Sequence, residues 1–133
     1  MSGVFELPFG IQASPIFQAG SGRAYNLTAG TDLNRDGVNN DRYIDPATGQ
    51  QVGLNSERGA ATWNIDARVT KFFTLGRDAR KLGVFAELYN LTDRANFGVY
   101  NGTGTSVLFK QPTAYFRGYP TSRQLQLGAR FTF

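Results

Sequence analysis

Apolar and polar residues alternate repeatedly along the chain, and helical periodicity is nearly absent. From Gln124 to Phe133, Leu125, Leu127, Ala129, Phe131 and Phe133 fall on one face. Gln124, Gln126, Gly128, Arg130 and Thr132 take the other. Trp63, Ile65, Ala67 and Val69 alternate with Asn64, Asp66, Arg68 and Thr70, and Leu82, Val84, Ala86 and Leu88 with Gly83, Phe85, Glu87 and Tyr89. Earlier, Ile11, Ala13, Phe17 and Ala19 oppose Gln12, Ser14, Ile16 and Gln18. Pro15 interrupts this last run and predicts a bulge, a kink or a weakly paired stretch, because proline lacks the N–H that a ladder needs. A short strand at 3–7 precedes them, giving about five strands.

The connections alternate in length. Leu7–Gly10 reads as a tight turn, and Leu75–Arg80 as another with Gly and Asp for turn conformations. Two long loops, about 28–61 and 92–122, complete the order short, long, short, long. Loops beyond ~15 residues are uncommon in compact soluble domains. Short turns at one end and long loops at the other are the pattern of an outer-membrane barrel, whose tilted strands need ~9–11 residues to cross. Trp63, Phe72, Phe73, Tyr89 and Phe133 sit near strand ends, as interfacial girdle residues do. A sheet whose apolar face covers a soluble core would show the same alternation.

Composition narrows the chemistry. The chain of 133 residues has room for one domain, 1–133, and is rich in Phe (11) and Gly (16). It contains no Cys and no His, which removes disulfides, zinc sites of the usual kind and Cys- or His-based catalysis. The net charge of +4 is spread over scattered arginines rather than one face, so no nucleic-acid partner is expected. No apolar run approaches the ~18 residues of a membrane helix. The opening MSGVFELPFG lacks the basic start and apolar stretch of a signal peptide. No nucleophile–base arrangement is visible, so no enzyme is expected.

These segments resemble those of TonB-dependent outer-membrane receptors. LPFGIQASPIFQAGSGRAYN is similar to a late strand and loop of that family, with Ala24 where a proline is usual in the SGRPY-like stretch. NIDARVTKFFTLG resembles the following strand. GVFAELYNLTDRANFG resembles the next strand and its exit through Glu87, Asn90, Leu91, Asn96 and Phe97, with Tyr89 in place of Phe and Thr92-Asp93 in place of Phe-Asn. SRQLQLGARFTF resembles the closing strand through Arg123, Gln126, Gly128, Arg130 and Phe133. The resemblance covers essentially the whole chain and is nearest to the Oar-like subgroup, whose members often carry a carboxypeptidase-regulatory-like domain. It implies an all-β antiparallel meander of about five transmembrane strands, forming the C-terminal part of a 22-stranded barrel in a Gram-negative outer membrane. The plug and earlier strands would lie outside this fragment. It also implies energised uptake through the TonB complex of a substrate such as a siderophore, cobalamin, a glycan or a peptide. Phe131 and Phe133 would be the assembly signal read by the barrel-assembly machinery.

Three groups of residues are candidates for chemistry. Asp32, Asn34, Asp36 and Asp41 surround Gly37 in a D-x-N-x-D-G spacing that resembles the opening of a calcium loop. The twelfth position, where a bidentate acid belongs, is Tyr43, and the same residues read equally as an Asx-rich turn. Asp66, Arg68, Glu87 and Arg130 are expected to face the barrel lumen, with Asp66 and Arg68 level with Glu87 and Arg130 beside it. They read as a wall ladder, or as residues for plug docking or a substrate path. Tyr100, Phe109, Tyr115, Phe116 and Tyr119 would either stack on a sugar or peptide or pack the loop down on the rim. The sequons at Asn90 and Asn101 read as turn chemistry. A structural or adhesive β-sheet protein using the calcium-like loop is the alternative. A complete eight-stranded barrel does not fit five strands.

Overall fold

The computed structural model describes residues 1–76 and 80–133. The fold is all-β, as the alternation predicts, and divides into two units. The first comprises Met1–Ala19, Trp63–Ala95 and Gly118–Phe133; the second comprises Gly20–Thr62 and Asn96–Arg117.

The first unit is built on a five-stranded open sheet. Its strands are β1 (Phe5–Leu7), β2 (Ile11–Gly20), β5 (Thr62–Leu75), β6 (Arg80–Tyr89) and β9 (Gln124–Thr132), in the order β1-β2-β5-β6-β9. Each strand therefore lies beside its neighbour in this set, which is the expected meander. The β5–β6 ladder runs from Ala67 opposite Leu88 to Leu75 opposite Arg80. The β6–β9 ladder runs from Lys81 opposite Thr132 to Tyr89 opposite Gln124. Both are antiparallel and unbroken, because a period-2 pattern tolerates no slip without inverting every side chain.

Pro15 causes no register slip between β1 and β2. Ser2 bridges Ile16 in the same register that pairs Phe5 with Ala13, but beyond Phe5 the pairing is reduced to isolated contacts. Of the three readings, the weakly paired stretch is the one observed. It lies against edge strand β1, where a missing donor costs least. The turn between β1 and β2 is a single 3-10 turn, Pro8–Gly10, in which Phe9 (φ 65) and Gly10 (φ 68) are both left-handed. Lys71 Nζ donates to the Phe9 carbonyl and ties this turn to β5. The centre of the Leu75–Arg80 turn lies outside the described residues.

The sheet has one apolar face, and that face is exposed. Leu127 is 71% accessible, Leu125 62% and Phe131 51%; Val69, Phe73 and Val84 are exposed as well. Among the described residues, the one buried hydrophobic side chain is Leu27, in the second unit.

The second unit places short strands within and beside the two long loops. It contains β3 (Ala24–Tyr25) paired with β4 (Glu57–Arg58), and β7 (Phe97–Tyr100) paired with β8 (Pro112–Tyr115). Thr28 joins its two chain segments. Its N–H donates to the Gly102 carbonyl at 2.9 Å, and its own carbonyl accepts from the Gly104 N–H at 2.8 Å. Rings then take the place of a core. Tyr25 stacks on Tyr100 at 5.5 Å, Phe97 on Tyr115 at 5.2 Å, and Tyr43 meets Phe109 at 5.1 Å. Each such pair contributes about 0.5–1.5 kcal/mol beyond its buried area.

Close backbone approach explains Gly22. A Cβ there would lie 1.7 Å from the Gly59 carbonyl oxygen, because the Gly59 N–H donates to the Arg23 carbonyl and draws the two segments together. Gly22→Ala should therefore destabilise this unit by about 1–3 kcal/mol. Limited proteolysis should show faster cleavage within 20–62 than in the parent chain.

Candidate functional site

The charges expected to share a face do so. The register places Asp66, Arg68, Glu87 and Arg130 on the polar side of the sheet, since side chains alternate at period 2. Their mutual arrangement follows the expectation for Arg68 and Glu87 and departs from it for Arg130 and Asp66. Arg68 is directly opposite Glu87 and its Nη1 lies 3.2 Å from Glu87 Oε1. The Tyr89 hydroxyl donates to the other Glu87 oxygen at 3.1 Å. The Arg68 guanidinium also lies 4.0 Å above the Phe85 ring. With Arg68 partly exposed, this cross-strand pair contributes at most about 1 kcal/mol, and its main effect is to fix where the guanidinium points.

Arg130 is not beside Glu87. It stands opposite Gly83, and Glu87 faces Gln126 instead. Asp66 also leaves the ion pair. Its Oδ1 accepts from Asn64 Nδ2 at 2.7 Å and from the Asn90 N–H at 2.9 Å, so it serves the corner where β6 ends.

That corner depends on Asn90, which is fully buried at 0% exposure. Its φ of 49° is left-handed, a conformation Asn tolerates better than most residues. Its Oδ1 accepts from the Arg94 N–H at 3.0 Å, while its Nδ2 donates to the carbonyls of Arg94 at 3.1 Å and Pro120 at 3.3 Å. One side chain thus closes the turn after β6 and holds the approach to β9. The sequence marks Asn90 as part of a sequon and of the resemblance at the exit of this strand; its burial and its three bonds give it a structural role.

Two glycines shape the polar face. The Phe85 ring occupies the space above Gly128, where a Cβ would lie 2.4 Å from its Cζ. Phe72 covers Gly83 in the same way, at 3.2 Å. Both are cross-strand pairs, Phe85 opposite Gly128 and Phe72 opposite Gly83. These ring-over-glycine pairs pin register while leaving the face low around Arg68 and Arg130.

The Asp-rich loop is closed by its own backbone. Asp32 accepts from the N–H groups of Asp36 and Gly37, Asn34 Oδ1 from that of Asp36, and Asp36 from that of Val38. Asp41 Oδ2 accepts from the Leu33 and Asn34 N–H groups. This is the arrangement of a self-capped Asx turn. Among the described residues, no three acidic, His or Cys side chains gather as a metal would require.

Of the loop aromatics, Tyr100, Phe109, Tyr115 and Phe116 are engaged within the second unit rather than left as free stacking platforms. Tyr100 and Tyr115 are in the ring pairs above, and Arg23 lies 5.0 Å over Phe116. The Tyr100 hydroxyl also accepts from the Ala60 N–H at 2.9 Å. An ion pair that sequence reasoning missed joins Lys110 to Glu57 at 2.6 Å, across more than fifty residues of chain. The hydrogen bond to Glu57 raises the Lys110 pKa above its ordinary 10.5.

No family model, curated protein or solved structure matches the chain.

Two variants test the site. Asn90→Ala removes three hydrogen bonds and a residue suited to its backbone, and should cost about 3 kcal/mol in an unfolding titration. Asn90→Asp, which keeps the acceptor, should fall between it and the parent. Lys110→Met should lower the melting temperature modestly at neutral pH. Because the folded pKa is raised, the stabilisation is present below pH 10.5 and is lost as the pH climbs through the folded value. The two melting curves should therefore converge at strongly alkaline pH.

Proposed function

We propose that this chain is a wall segment of an outer-membrane β-barrel of the TonB-dependent receptor type, and that it takes part in energised uptake of a substrate. The observation that carries the reading is the exposed apolar face of the five-stranded sheet, formed by alternate residues such as Leu125, Leu127, Val84 and Phe73. In water such a face is a large liability; against lipid chains it is at its lowest free energy. The opposite face carries Asp66, Arg68, Glu87 and Arg130 and suits a water-filled interior.

Other features support it. Strands β2, β5, β6 and β9 have 10, 14, 10 and 9 residues, close to what a tilted crossing needs. Strands β1 and β9 are open edges, which further barrel strands would pair. Coupling to the TonB complex through a plug, folding by the barrel-assembly machinery and the imported substrate belong to this proposal through the sequence resemblance. The alternative of a surface adhesin gains nothing from the self-capped Asp-rich loop.

Fractionation of expressing cells is the first test. The protein should sediment with outer membranes, resist alkaline washing and need detergent for release; recovery as a water-soluble monomer would contradict the assignment. Leu127→Arg places a charge on the apolar face near mid-strand and should destabilise the inserted form by about 2–4 kcal/mol. Gln126→Arg, one residue away on the other face, should be nearly neutral. Equal effects would remove the distinction between the faces.

A further inference from the structure

The polar face of the sheet contains a cavity of about 410 Å³ spanning β2, β5, β6 and β9. Its walls include both Arg68 and Arg130, and among the described residues no carboxylate lines it. Thr70 and Gln12 add neutral polar groups, and Phe72 and Phe85 supply apolar surface. The nearby acids are already engaged: Glu87 holds Arg68 through one Nη, and Glu6 accepts from Gln12 Nε2 at 2.7 Å.

We infer that this recess binds a small organic anion, with its carboxylate between Arg68 and Arg130 and its apolar body on the rings of Phe72 and Phe85. A guanidinium has five N–H donors, so the single contact of Arg68 with Glu87 leaves most of its fork available. Arg68 is held in place from two sides, by Glu87 and by the Phe85 face, so little side-chain entropy is lost when it grips a ligand. Arg130 has no acidic partner among the described residues. It stands opposite Gly83, which lies beneath the edge of the Phe72 ring, so the guanidinium and that ring border the same recess. The volume falls in the range of small-molecule sites, and the mixture of apolar walls with a few convergent polar groups is their usual composition. The inference concerns the sheet itself and stands whether the apolar face meets lipid or another cover.

The test is a titration of the isotopically labelled chain in detergent micelles, or in buffer if the chain proves soluble. The probe is benzoate, with benzyl alcohol as its uncharged counterpart and inorganic phosphate as an oxyanion without an apolar body. Benzoate should shift the amide signals of Gly83 and Gly128 saturably, with a Kd on the order of millimolar. Benzyl alcohol should give no saturable shift, and phosphate should bind more weakly than benzoate. Arg130→Gln should weaken benzoate about tenfold, as expected for losing one charge-assisted contact, with Arg130→Lys between it and the parent. Gly128→Ala, which forces the Phe85 ring out of its place, should weaken benzoate while keeping both charges. Arg42→Gln, in the second unit, should change nothing, and unaltered amide signals outside the recess will show that each variant is folded. Absence of saturable shifts, equal response to benzyl alcohol, or undiminished binding by Arg130→Gln would overturn the site. Phosphate binding as tightly as benzoate would overturn the role of the rings.

Discussion

The constraint on which the sheet depends is that its apolar face has no cover of protein. An ordinary half-buried sheet gains about 25 cal/mol for each Å² of apolar surface withdrawn from water. Here Leu125, Leu127 and Phe131 remain more than half exposed, so that term is largely unrealised within the chain. What remains is the backbone ladder, continuous from β5 through β6 to β9, and the side chains that fix its register. Phe85 over Gly128, Phe72 over Gly83 and Arg68 against Glu87 all lie on the polar face, and each joins one strand to the next. The face that would normally supply stability is left for the surroundings, and the face that would normally be decorative carries the specific contacts.

The second unit answers the same shortage of core differently. Leu27 is its single buried hydrophobic residue among those described. Stacked rings, the Glu57–Lys110 pair and the exchange of hydrogen bonds around Thr28 hold its two chain segments together. Its polar side chains turn inward on the backbone, most completely in the Asp32–Asp41 turn, so that many loop N–H groups find an acceptor without entering a helix or a ladder. The two units thus use different interactions, ladders in one and side-chain closure in the other.

The legible part of this architecture is what period-2 alternation encodes. The five main strands stand within a few residues of their expected bounds, because each side chain on those runs reports its face independently. Pairing Arg68 with Glu87 was legible because a short turn joins their strands. The place of Arg130 was not: a long connection precedes β9, and register across it follows from the closure made by Asn90 with Arg94 and Pro120. The same holds for the ring-over-glycine pairs, which exist only once register is fixed. Strands β3, β4, β7 and β8 have two to four residues each, too few for any periodicity, and they pair segments far apart in sequence. The Asx-turn reading of the Asp-rich spacing was legible, because its acceptors and their N–H donors lie close together in sequence.

The central claim is that the two faces of the sheet meet different media. The chain has no cysteine, so single cysteines can be placed along β9 and labelled without background. Fluorophores at 125, 127 and 129 should be quenched by a quencher carried on lipid chains, and those at 124, 126 and 132 by a water-soluble one. A two-residue alternation in which the two quenchers are out of phase is the result this account predicts. Uniform access of the aqueous quencher to both sets of positions would contradict it.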